Sequence, residues 1–361
     1  MSGRERTYRP RARTTRPLGE PRSANAPPSQ PISPPEKRDD GWLIPDPLAQ
    51  RLHQKSGIGK RTNDGILLTA EEVLFCHWYR HVPLPSDEEW FRAQLHHDGT
   101  LLRRIIAMDV LRNGGERVVP ISHLSERFES FPEFTWAVRW ERHESWMSHT
   151  GFSQVRLQRT HDPLDWDELD AWVNSVNSLG HVAELCVIDD EFDTTVYHLS
   201  RCHPNGMHVR FSDLDEEGKE TIRVSCNAAQ SIDDGFFLNY PSDWPLPAIG
   251  IPHFSGRYLR NEEHAFLKDD DSDGAKDLYG ALVEQGLLLR PGFKYGCRWR
   301  AYEDAIEAAH APWLIQPLEE APANWEEVCL AVRLAEGVNK RWVCARFTDG
   351  ASSFLNIKRV G

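Results

Sequence analysis

No stretch of this 361-residue chain approaches the roughly 20 consecutive apolar residues that a membrane-spanning helix needs. The opening text, MSGRERTYRPRARTTRP, carries charges with no apolar segment behind them, so it does not read as a secretory signal and a cytoplasmic protein is expected. Seven cysteines (Cys76, Cys186, Cys202, Cys226, Cys297, Cys329, Cys344) are odd in number, scattered and without a CxxC pair. That spacing argues against a disulfide framework and a zinc site, and the cysteines read mostly as small buried apolar residues. No Walker loop, GxSxG elbow or HExxH is present, so neither a nucleotide cofactor nor a common hydrolase site is expected. Asp269, Asp271, Asp273 and Gly274 have the acids and glycine that open a calcium loop, but Gly280 stands where the bidentate glutamate belongs, which leaves a solvated acidic loop and no metal. Positive charge is in short supply overall. A formal net charge of −13 argues against a whole-surface polyanion binder while allowing a local basic patch.

What remains is an ordinary globular composition, 40% hydrophobic and 27% charged, on a chain too long for one typical domain. Thirteen tryptophans read as core and interface anchors. Residues 1–40 hold seven arginines by Arg22 and the proline-rich APPSQPISPPEK, with too few apolar side chains to fold alone. They are expected to be a disordered arm, either inert or drawn to phosphates.

From Gly41 the pattern is globular. Thr69, with Glu71 and Glu72 behind it, opens a helix, and Leu101 to Leu111 predicts another, closed by Asn113-Gly114-Gly115. FTWAVRWE and FSQVRLQ read as strands. LDWDELDAWVNSVNSLG spaces Leu169, Trp172, Val173 and Val176 on one helical face, and two strands follow, joined by Asp189-Asp190-Glu191-Phe192-Asp193. The second half repeats this order. LLTAEEVLF at Leu67 is echoed by YLRNEEHAF at Tyr258, DVLRNGGERVV by ALVEQGLLLRPG, FTWAVRWE by CRWRAYE, and the helix ending at Gly180 by NWEEVCLAVRLAEGV. The expected fold is mixed α/β (α+β), built from tandem duplicated units.

Three residues in the second half suggest a chemistry: Tyr302, His310 and Lys340. Cutting RNA through its own 2′-hydroxyl needs a base for that hydroxyl, an acid for the departing 5′-oxygen and a positive charge beside the phosphorane. Histidine suits the acid, lysine the charge, and a tyrosine suits the base where neighbouring cations lower its pKa. Taken singly, each also has an ordinary reading as a sheet tyrosine, a capping histidine or a surface lysine.

The sequence around them resembles the archaeal tRNA-splicing endonucleases. GFKYGCRWRAYE is similar to that family's Gly-Phe-Lys-Phe/Tyr-Gly…Phe-Arg-Val-Tyr segment, HAPWLIQ to its His-Ser-x-Tyr-Leu-Val-His, and RLAEGVNKRWVCA to its Arg-Leu-Ala-x-x-Val-x-Lys-x-x-Val-x-Ala. Upstream, CVIDDEFDTTVYHLSR resembles its Val-Val-Asp-Glu-x-x-Asp-x-Thr-Tyr-Tyr ending. The resemblance implies metal-independent, cofactor-free cleavage of precursor tRNA at a bulge-helix-bulge, with Tyr302 as base, His310 as acid and Lys340 as stabiliser. It implies that Arg333 and Arg359 bind RNA by sandwiching a flipped base. It implies a homodimer in which Asp189, Asp190, Glu191 and Asp193 form a loop that docks on the partner subunit.

Each repeat is then an amino-terminal helical/β subdomain plus a nuclease-like mixed sheet flanked by helices. The boundaries expected are 41–120 and 121–203 for the first repeat, an irregular connection at 204–233, then 234–292 and the catalytic subdomain 293–361. In the first copy Trp140 takes the tyrosine position and Gly180 or His181 the lysine position, with His149 the candidate histidine, so that copy is expected to be catalytically dead. The rival reading is a non-catalytic RNA-binding or structural subunit of a splicing complex.

Overall fold

The computed structural model describes residues 31–86, 89–113, 115–239, 243–268 and 276–360, and the chain divides into two compact units. The acidic loop from Asp269 and the first thirty residues of the arm lie outside the described residues.

The first unit comprises residues up to Glu129 together with Trp140–Thr150. Its elements are β1 (Glu36–Arg38), β2 (Gly41–Pro45), α1 (Leu48–Ser56), β3 (Lys60–Thr62), β4 (Gly65–Leu68), α2 (Ala70–Arg80), α3 (Glu89–His97), α4 (Leu101–Arg112) and β5 (Arg117–Pro120). The first four strands form a sheet in the order β1-β2-β4-β3. β1 corrects the expected extent of the arm. Glu36, Lys37 and Arg38 are all exposed and so show no alternation, but their backbone finds partners in Leu43, Trp42 and Gly41 across a two-residue turn. α2 starts at the predicted cap, where the Glu72 carboxylate turns back to accept the Thr69 amide at 3.1 Å.

The second unit holds residues 130–139 and everything from Gly151 onward. It continues with β6 (Ala137–Trp140), β7 (Ser153–Arg159), α5 (Trp166–Ser178), β8 (Val182–Ile188) and β9 (Thr194–Arg201). Next come α6 (Glu216–Asn227), β10 (Gln230–Ile232), β11 (Gly235–Asn239), β12 (Ile251–His253), β13 (Gly256–Arg260), α7 (Asn261–Lys268) and α8 (Leu278–Glu284). It ends with β14 (Leu288–Pro291), β15 (Trp299–Tyr302), β16 (Trp313–Pro317), α9 (Trp325–Gly337), β17 (Arg341–Thr348) and β18 (Ala351–Arg359). The segment 204–233, expected to be irregular, contains α6 and β10. Only Ile222 and Cys226 of α6 are buried, too sparse an apolar stripe to read from sequence, and the three-residue β10 exists because β11 pairs with it.

Within this unit the strands run β14-β15-β16-β17-β18-β9-β8-β7-β6. β7 and β8 are parallel and joined by α5, while β16 and β17 are parallel and joined by α9. The two halves meet where β18 pairs antiparallel with β9, Ile357 opposite Leu199. Both crossover helices are capped by the residue before them: Asp165 accepts the amides of Asp167 and Glu168, and Asn324 accepts that of Glu327. Alternation along β17 sends Trp342 and Cys344 into the core beneath α5 and α9. Val343 and Ala345 point to the opposite face, onto α6–α8 and the small sheet β10-β11-β13-β12. The class is mixed α/β, as expected. Among the described residues no helix is long and apolar enough to cross a membrane, and all seven cysteines carry free thiols, five of them buried.

Candidate active site

Tyr302 is the last residue of β15, paired with Leu288 of β14. Trp299 and Ala301 fill the core, so strand alternation turns Arg300 and Tyr302 to the other face. There the Tyr302 side chain is 8% exposed and packs with Ala248, Leu288 and Ala311. The loop from Glu303 to Pro312 leads from Tyr302 to β16, and Trp313 Nε1 closes its mouth by donating to Glu303 Oε1 at 2.7 Å. His310 is exposed on this loop, directly before the buried Ala311.

Lys340 follows α9. Asn339 ends the helix at φ 55°, the Lys340 amide donates to Ala335 O at 2.9 Å, and the Arg341 amide donates to Pro312 O at 2.9 Å. This turn brings Lys340 Nζ to the Ala311 carbonyl, a hydrogen bond of 2.5 Å. Ala311 is therefore the meeting point: Tyr302 packs against it, Lys340 donates to it, and His310 is its neighbour in the chain. Burial, and then the charge on Arg300, lowers the Lys340 ammonium below the ordinary lysine range. Its Nζ lies 5.8 Å from the centre of the Tyr295 ring. Neither Arg300 nor Tyr295 was singled out from sequence, although the two-residue step from Arg300 to Tyr302 on a strand is the signal that places them on one face.

Arg333 on α9 and Arg359 at the end of β18 line one cavity of about 370 Å³, together with Tyr197, Cys329, Asp189, Asp190, Glu191 and Asp193. The two RNA-binding candidates are thus brought together, and the acidic turn of the upstream half joins them, which the sequence did not suggest. Asp189 is committed to the turn itself, where its Oδ1 accepts the amides of Glu191 and Asp193, both at 2.9 Å, around Phe192 at φ 64°. Asp190 Oδ2 pairs with His161 Nε2 at 3.2 Å.

In the upstream half the corresponding positions are differently filled. Trp140 closes β6 as Tyr302 closes β15. The Val182 amide donates to Phe152 O as that of Arg341 does to Pro312 O, so His181 corresponds to Lys340 and Thr150 to His310. His149 falls one residue short of that position, and its carbonyl accepts from Trp140 Nε1 at 2.9 Å. His181 is buried, with Nδ1 3.0 Å from Gln154 Nε2, and burial lowers its pKa, which favours the neutral ring.

Residues 276–353 match the family model for the tRNA intron endonuclease catalytic C-terminal domain. The chain is 27% identical over 173 residues to a tRNA-splicing endonuclease of Picrophilus torridus, covering 48% of this chain and 54% of the relative. It is 29% identical over 241 residues to one of Natronomonas pharaonis, covering 57% and 70%. It is 36% identical over 89 residues to one of Haloarcula marismortui, covering 23% and 26%. The chain spans about half the length of relatives such as that of Picrophilus torridus. The matched family segment contains Tyr302, His310 and Lys340.

Proposed function

We propose that this chain cuts introns from precursor tRNA, acting at bulge-helix-bulge sites without a metal or other cofactor. Tyr302 takes the proton from the 2′-hydroxyl, the 2′-oxygen attacks phosphorus, and the bond from phosphorus to the 5′-oxygen breaks. His310 gives its proton to that 5′-oxygen, and Lys340 holds the charge that gathers on the phosphorane oxygens. The products are a 2′,3′-cyclic phosphate and a 5′-hydroxyl. The observation that carries this reading is the convergence on Ala311: a phenol and an ammonium meet at one buried residue, with an exposed imidazole as its neighbour.

The same reading makes the chain a tandem duplication with one live and one dead copy, acting as a homodimer in the cytoplasm. The matched pairing of β6–β9 and β15–β18 around α5 and α9 supports the duplication. Trp140, Thr150 and His181 at the three catalytic positions support a structural role for the first copy. Arg333 and Arg359 would sandwich a flipped base, each stacking on one of its faces. Incubating the purified chain in EDTA with a bulge-helix-bulge RNA tests the proposal, and the expected result is cutting with cyclic-phosphate ends. Binding without cutting would instead favour a non-catalytic subunit.

A further inference from the structure

Most arginines around the catalytic strand are neutralised by carboxylates. Arg260 pairs with Glu263 at 2.8 Å, Arg290 lies 3.7 Å from the same residue, and Arg298 reaches Glu262 at 3.3 Å. Arg300 differs. Its Nε donates to the Pro291 carbonyl at 3.1 Å, which orients the guanidinium, and its two terminal nitrogens have no hydrogen bond or carboxylate among the described residues. Lys340 also lacks a carboxylate among the described residues, its Nζ bonding to a neutral carbonyl.

These two cations lie near the same aromatic ring. The Arg300 Cζ is 5.9 Å from the Tyr295 ring centre and Lys340 Nζ 5.8 Å from it, and the same Arg300 Cζ is 5.9 Å from the Tyr302 ring centre. Two uncompensated positive charges held this near each other repel, and that repulsion is one cause of the depressed Lys340 pKa. A chain with net charge −13 has carboxylates to spare, yet none among the described residues pairs with either cation. An arrangement of this kind is relieved by an anion, and a fixed guanidinium fork beside an ammonium suits the non-bridging oxygens of a phosphate.

We propose that Arg300 is a further catalytic residue, a second cation that binds the scissile phosphate together with Lys340, both beside the Tyr295 ring. This inference rests on the endonuclease reading for its substrate, an RNA phosphodiester, but its anion site stands on the geometry alone. Arg300 transfers no proton. It stays charged while Tyr302 and His310 move protons, and it stabilises the second negative charge that the phosphorane gains when the 2′-oxygen adds.

Three measurements on the full chain test this, with Arg300→Gln and Arg300→Lys compared against the wild type. They are single-turnover cutting of a bulge-helix-bulge RNA in EDTA, equilibrium binding of that RNA, and titration with inorganic phosphate followed by calorimetry or amide chemical shifts. Loss of one preorganised charge should slow Arg300→Gln on the order of 100- to 1,000-fold, with Arg300→Lys recovering part of the rate. RNA binding should weaken by no more than about tenfold, the loss of one phosphate contact, so that the larger part of the rate loss falls on the transition state. Phosphate should bind the wild type and bind Arg300→Gln about tenfold more weakly, a loss equal to one charge-assisted contact. Unchanged phosphate affinity in Arg300→Gln overturns the proposal, as does an unchanged single-turnover rate. A wild type that binds phosphate through Arg300 yet never cuts RNA would refute the endonuclease reading and keep the anion site.

Discussion

The Glu72 carboxylate accepts the amide of Gly59 at 2.9 Å, across thirteen residues of chain. The contact recurs in the second half, where Glu263 accepts the amide of Gly250 at 3.1 Å, again across thirteen residues. In both places the other carboxylate oxygen accepts the amide three residues upstream, Thr69 at 3.1 Å and Arg260 at 2.9 Å. Both glycines sit at positive φ, 73° and 79°, and a side chain on either would collide with a leucine, Leu68 or Leu259. The recurrence falls at the position where LLTAEEVLF and YLRNEEHAF were matched, and it supports the proposed duplication. The halves diverge in the cation that compensates the buried acid: His123 serves Glu72, and Arg260 and Arg290 serve Glu263.

That divergence gives the first unit its own pH dependence. Burial alone would raise the Glu72 carboxyl, but His123 and the amides of Gly59 and Thr69 outweigh it and the net shift is downward from 4.5. Burial alone would lower His123, but Glu72 outweighs it and the net shift is upward from 6.5. The histidine contribution is complete below its unfolded pKa of about 6.5 and fades as pH rises through the raised folded value. The glutamate contribution is complete above its unfolded pKa of about 4.5 and fades as pH falls through the depressed one. Melts across this range should show the first unit most stable between the two values. His123→Gln should flatten the alkaline side, and Glu72→Gln should cost about 1.5–3 kcal/mol near neutral pH. A His123→Gln melt with unchanged pH dependence would contradict the pairing.

At the proposed catalytic site, His310 is exposed and Tyr302 is packed, so their substitutions should differ in side effects. His310→Ala should slow single-turnover cutting by about 100- to 10,000-fold while RNA affinity and melting temperature hold. Tyr302→Phe keeps the ring against Ala311 and removes only the hydroxyl, so a similar rate loss should come without unfolding. Equal loss of RNA binding in His310→Ala would make that histidine a binding residue.

Much of this was legible in local pattern. Leu169, Trp172, Val173 and Val176 fall at helical spacing and are the buried residues of α5, because a crossover helix must show one apolar stripe to its sheet. β8, the acidic turn and β9 were likewise plain from alternation and turn residues. What escaped depends on long-range pairing. The Arg359 position is set by pairing with Tyr197 across β18 and β9, so the cavity shared with the acidic turn has no local signature. Thr150, and not His149, corresponds to His310 because sheet register counts back from Phe152, and no spacing rule within the loop could supply that count.

The arginine pair should respond to the shape of the RNA. Arg333→Ala and Arg359→Ala are each expected to weaken binding of a bulged RNA by about 1–3 kcal/mol, the scale of one stacking contact. A perfect duplex of the same length should bind the variants and the wild type alike, since it offers no flipped base. Filter binding with both RNAs separates the cases. Equal losses on the two would make these arginines phosphate contacts.

The acidic turn calls for a more selective experiment than removing all four acids. Asp189 holds the turn together through the amides of Glu191 and Asp193, so Asp189→Ser would disturb the loop whatever its outer face does. Asp190→Ser, Glu191→Ser and Asp193→Ser combined leave that carboxylate in place. If the loop docks on a partner subunit through its negative charge, the triple variant should sediment as a monomer at concentrations where the wild type is a dimer, and added salt should shift the wild type the same way. Circular dichroism of the variant should match the wild type. A dimer that survives both the triple substitution and high salt would place the interface elsewhere and leave the turn as the acidic wall of the Arg333–Arg359 cavity.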